Sequence, residues 1–143
     1  MSARNPLRRL LRLREIREDQ ARTELAGASQ AATAAADVAR AATEEYEARP
    51  GLPRVLSPAE LRGLMLQGVR SHELMTAAAE AYGRALDQAQ AARRGWSAAS
   101  SELRSVEKLD QRRRRESERM AQTAAERALD QLILTLRNLR RWI

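Results

Sequence analysis

Apolar and small residues recur along the second half of the chain at alternating spacings of four and three. The series is Leu74, Ala78, Ala81, Ala85, Ala92, Gly95, Ala99, Val106, Leu109, with Gln88 and Glu102 as polar interruptions. The mean step of three and a half residues is the period of a coiled-coil seam. No proline interrupts residues 71 to 137, and Ala, Arg, Glu, Gln and Leu, all strong helix formers, fill most of them. The pattern predicts one long helix there. At about 1.5 Å per residue such a helix approaches ~100 Å, more than a compact domain of this chain length could hold.

The N-terminal part predicts a partner for it. Asn5 is placed as an N-cap and Pro6 at the first helical position, where a missing N–H costs nothing. A helix follows over residues 6 to 48. Its first turns carry Leu7, Leu10, Leu11 and Leu13. Its seam runs through Leu11, Ala21, Leu25, Ala28, Ala32, Ala35, Ala39, Ala42 and Tyr46, broken by Arg14 and Glu18, where looser packing is expected. Pro50, Gly51 and Pro53 stop the helix.

Ser57, Pro58 and Glu60 form a capping box, with Leu56 and Leu61 placed as a hydrophobic staple. A short helix is expected over residues 58 to 67, with Gly68 kinking it or dividing it from the long one. Two long helices with a short connection lie antiparallel. The predicted fold is all-α: an elongated antiparallel two-helix coiled coil with a short helix at the turn, one domain over residues 1 to 143.

Folding back places Pro6 opposite residue 110. Four consecutive arginines follow, Arg112, Arg113, Arg114 and Arg115, and Arg113 falls on the seam. A partner helix would not accept that charge unpaired, so pairing should end near Leu109 and the long helix should overhang. Apolar residues then return as Leu129, Leu132, Ile133, Leu136 and Leu139, followed by Trp142 and Ile143. The first helix is too short to cover them, and an exposed apolar face marks an interaction site. The arginine run reads either as a solvated turn, paired with Glu116 and Glu118, or as a contact patch for an acidic surface. The leucine stripe reads as a partner site, a self-association seam or a segment that folds back.

Composition narrows the function. Phe and Cys are absent, and the four aromatic residues are Tyr46, Tyr82, Trp96 and Trp142. Without cysteine there is no disulfide framework, thiolate metal site or thiol nucleophile. His72 is the single histidine, so no His-based metal cluster is available, and a plain helix-surface position is its simplest reading. The six glycines are scattered and form no phosphate loop. Neither an enzyme nor a cofactor is expected. The formal net charge of +7, almost all from arginine with Lys108 as the one lysine, points to anionic partners. Acidic residues are interleaved and no base-reading pattern precedes a zipper, so specific nucleic-acid binding is not expected. Arginines punctuate the first 17 residues, and no stretch suits a signal peptide or a membrane span, so a soluble cytoplasmic protein is expected.

Both ends also carry a resemblance. The run Pro6-Leu7-Arg8-Arg9-Leu10-Leu11-Arg12-Leu13-Arg14-Glu15, followed by Ala21 and Leu25-Ala26, resembles the opening of FliJ proteins of the bacterial flagellar export apparatus. Glu126-Arg127-Ala128-Leu129-Asp130-Gln131-Leu132 is similar to that family's C-terminal Glu-x-x-x-Asp segment. Helix plan and chain length agree over nearly the whole chain.

The resemblance implies an antiparallel coiled coil, similar to the stalks of rotary ATPases, that inserts its terminal end into the export ATPase hexamer. It implies contact with the cytoplasmic domain of the export gate and an escort role for export chaperones. It also implies a monomer when free, reaching the membrane only through partners. The ring end would comprise Leu7, Leu10 and Leu11, Arg112 to Arg115, and Leu129, Asp130, Leu132 and Leu136. The gate patch would comprise Val69, His72, Met75 and Ala79, with Gly68 standing where the family carries an aromatic residue. The alternatives are a self-associating structural coiled coil and a basic coiled coil associated with nucleic acid.

Overall fold

The structure is a computed structural model that describes residues 5–51 and 57–143. It contains two helices, α1 over Pro6–Glu47 and α2 over Pro58–Arg141, of 42 and 84 residues. They pack against each other as an antiparallel hairpin, with no strand among the described residues.

The helix starts follow the expected chemistry. Asn5 Oδ1 accepts a hydrogen bond from the Leu7 N–H at 3.1 Å, satisfying a donor the helix cannot pair itself. At Ser57 the capping box closes reciprocally. Glu60 N–H donates to Ser57 Oγ and Ser57 N–H donates to Glu60 Oε2, both at 3.2 Å. The staple residue Leu56 and the breaker Pro53 lie outside the described residues.

One expected element is absent as a separate unit. The short helix and the long helix are one, and Gly68 neither ends nor divides it. A single glycine costs a helix about 1 kcal/mol, too little to interrupt so long a run of strong helix formers. The bare Cα has another use. A Cβ at Gly68 would sit 2.6 Å from an Arg49 guanidinium nitrogen, so the glycine leaves room for that side chain.

The described residues fall into two compact units. In the first, Ile16–Ser100, the two helices run antiparallel from the turn. Contacts open from Arg49–Leu64, 15 residues apart, to Glu18–Trp96, 78 apart. On α1 the covered positions include Glu18, Ala21, Leu25, Ala28, Ala32, Ala35, Ala39, Ala42 and Tyr46, the seam expected from sequence, and Arg49, just past the helix, continues the same spacing.

On α2 the frame differs. Ala78, Ala85, Ala92 and Ala99 hold the expected positions, but the alternate layers are Met75, Tyr82, Ala89 and Trp96. Leu74, Ala81, Gln88 and Gly95, each one residue earlier, are not the covered ones. A seam built on α1 alanines leaves volume to fill. Met75, Tyr82 and Trp96 supply it, and Ala89 removes the supposed polar interruption at Gln88.

The second unit joins Met1–Glu15 to Ser101–Ile143. Its covered positions are Leu7, Leu11 and Arg14 on α1, and Leu103, Val106 and Asp110 on α2. Leu7 and Val106 are its buried apolar residues. The one-residue offset persists here: Leu103 and Asp110 replace the expected Glu102 and Leu109. Every residue from Gln111 onward is exposed, so cover ends at Asp110 and α2 continues alone, as expected. Deep burial is scarce in both units, so stability comes from many thin layers and strong helix propensity.

Candidate partner-binding surfaces

The first surface grows out of the uncovered part of α2. The 31 helical residues from Gln111 to Arg141 span roughly 45 Å at the helical rise. Arg112, Arg113, Arg115 and their neighbours point into solvent. Arg114 Nε donates back to Asp110 Oδ2 at 3.0 Å, rather than forward to Glu118 as the spacing suggested. That pair sits where cover stops and joins the last covered position to the arginine run. Further on, Leu129, Leu132 and Leu136 are each more than half exposed, and Asp130 is exposed beside them. Ile133, Leu136, Arg137, Leu139 and Arg140 line a shallow apolar groove with basic walls.

The N-terminal leucines are spent differently. Leu7 is buried and Leu11 half-buried, both on the α1 seam, while Leu10 and Leu13 remain exposed. Antiparallel packing sets this leucine cluster beside the end of the covered stretch, where the arginine run begins. It does not bring it to Leu129, which lies 19 residues beyond Asp110, roughly 30 Å along α2.

The second surface is at the turn. Val69, His72 and Ala79 are exposed, while Met75 is half-buried on the seam. Val69 and His72 line a notch with Tyr46, Arg49, Met65, Gly68 and Glu73. The Tyr46 ring lies 5.7 Å from the His72 ring at a tilt of 54°. The Arg49 guanidinium sits 5.9 Å over the Tyr46 ring, and its Nη2 donates to the Leu64 carbonyl at 3.0 Å. Cation–π attraction and the hydrogen bond together hold the arginine against the bare Cα of Gly68. Sequence reasoning took Tyr46 as seam only and passed over Arg49. The same heptad frame, continued by one step, places both opposite the start of α2.

The polar seam positions of α1 each pair with a charged or polar side chain. Glu18 is buried, 5% exposed. Its Oε1 accepts from the Trp96 indole Nε1 at 2.9 Å and from Arg22 Nη2 at 2.7 Å. The indole hydrogen bond, with Arg22 adding to it, holds the carboxyl below its ordinary value of 4.5 against the opposing pull of burial. In the other unit Arg14 pairs with Glu102, leaving its Nε buried without a partner. Glu18 is thus covered and paired, whereas at the Arg14 layer the partner Glu102 stays about half exposed.

Among the described residues no group of His, Cys, Asp and Glu could hold a metal ion. No described helix is long and apolar enough to cross a membrane. The described surfaces are a basic stretch, an apolar stripe and an aromatic–cationic notch. A family model described as flagellar FliJ protein matches residues 2–141 of the chain. No match was found among curated proteins or among solved structures.

Proposed function

The chain belongs to the FliJ family of flagellar proteins, which sets its role in flagellar export, and from that premise we propose that it acts as the stalk of the export ATPase. The uncovered end of α2 enters the hexameric ring. Arg112 to Arg115 meet acidic surface there, and Leu129, Leu132 and Leu136 meet apolar surface. The observation that carries this reading is the loss of all cover after Asp110 while the helix continues to Arg141. A long, bare helix with a basic collar and an apolar stripe has surface to give to a partner.

The notch at the turn contacts the cytoplasmic domain of the export gate. Val69 and His72 are supported there by Tyr46 and Arg49, so an aromatic ring reaches this patch from α1 although Gly68 stands at the family's aromatic position. An asymmetric insert in a six-fold ring favours some ring states over others, so it can link ring assembly or hydrolysis to a distant gate. The protein contributes no catalytic group. It works in the cytoplasm, at the inner membrane only through these partners, and escorts export chaperones.

The test is the hydrolysis rate of the cognate ATPase with and without the protein. Stimulation with ring formation, lost on reversing Arg112 to Arg115 to glutamate, is the expected result. No stimulation by a folded protein overturns the stalk reading.

A further inference from the structure

The leucine stripe does not continue the seam that α1 covers. In the second unit that seam runs Leu103, Val106, Asp110. Continued at the same spacing it meets Arg113, Ser117, Met120, Ala124, Arg127 and Gln131, mostly polar. The stripe keeps a separate frame: Ala125, Leu129, Leu132, Leu136, Leu139. Its spacing of four, three, four and three is a strict two-in-seven seam, the kind that another helix covers. Helix α1 faces a different side of α2, so this one is left open to a helix from elsewhere.

We propose that the occupant, when the ring is absent, is a second copy of the same segment running antiparallel. In an antiparallel pair each a position packs against a d position of the partner. With the two-fold axis at Leu134, Leu129 packs against Leu139 of the second copy, and Leu132 against Leu136 of the second copy. Symmetry repeats both contacts, giving four leucine layers.

The flanking positions on one side are Glu126, Ile133 and Arg140. The same axis brings the two Ile133 residues together and sets Glu126 beside Arg140 of the second copy, twice. All are exposed in the single chain, and Leu129, Leu132, Ile133, Leu136 and Leu139 are each 54–61% exposed. A parallel pair would match neither charge. Arg127 and Arg141 project outward from this seam, so the basic character of the segment does not oppose the pairing.

The overlap is short, so the dimer is weak and forms at micromolar concentrations and above. It covers the stripe assigned above to the ring, so ring entry and self-pairing exclude one another.

Sedimentation equilibrium from about 1 to 100 µM tests this. The mass should rise from 16.0 kDa towards twice that value. Glu126→Arg and Arg140→Glu should each remove the rise. Mixing the two variants should restore it, because only the mixed antiparallel pair regains both ion pairs. A mass that stays at the monomer value throughout overturns the proposal, as does a dimer that neither charge variant weakens. These readouts do not involve the ATPase, so their failure leaves the stalk reading to its own test.

Discussion

The indole Nε1 of Trp96 donates to Glu18 Oε1 at 2.9 Å across 78 residues of sequence, so the one polar atom of a large seam residue meets a buried carboxylate on the facing helix. A buried carboxylate is tolerated only with donors, and alanine layers offer none. The pair therefore favours one register between otherwise similar alanine layers, because a shift by one heptad would leave Glu18 facing Ala89.

Trp96→Phe keeps an aromatic ring on the seam, gives up the second ring of the indole and deletes the donor. It should lower the thermal midpoint by several degrees. In a Glu18→Leu background, where no carboxylate is left stranded, the same change should cost markedly less. A thermal double-mutant cycle checks the difference.

The lowered carboxyl at Glu18 gives a pH dependence of known sign. Its contribution is fully present above the ordinary value of 4.5 and is lost as pH falls through the lower folded-state value. Urea midpoints should drop more steeply below pH 4.5 in the native protein than in Glu18→Gln.

The α2 frame can be tested by paired truncations. Leu103 lies on the seam and Leu109 beside it, about half exposed. Leu103→Ala should cost roughly 1–3 kcal/mol. Leu109→Ala should cost under about 0.5 kcal/mol. Equal costs in chemical denaturation would reject the assignment.

The glycines of α2 separate propensity from packing. A Cβ at Gly95 meets nothing within 4 Å, so Gly95→Ala should stabilise by up to about 1 kcal/mol. Gly68→Ala gains the same propensity but pushes Arg49 off the notch. Its net gain should be smaller and should recover in an Arg49→Ala background. Thermal melts of the four variants decide this.

The α1 seam was legible because leucines anchor one end, Tyr46 the other, and alanines mark the spacing between. The α2 frame was legible at only every second layer. Leu74 and Leu109 are apolar one residue too early, and small residues occupy both choices at several layers. What decides the frame is volume at Met75, Tyr82, Trp96 and Leu103, and volume matters only once a facing helix exists. The overhang was legible because Arg113 would have charged the next layer. The Arg49–Gly68 contact was not, since glycine in a helix reads first as a break. The Glu18–Trp96 pair was half legible: its acceptor interrupts a seam in plain view, but its donor sat outside the assumed frame.

The end of cover at Asp110 also divides the amides of α2 into two populations. Those before it lie in helix pressed against helix, while those after it belong to a lone helix in water, which opens readily. Hydrogen exchange should therefore be slow up to that point and fast beyond it. Any molecule that settles on residues 111 to 141 would write its footprint onto an almost blank background, turn by turn.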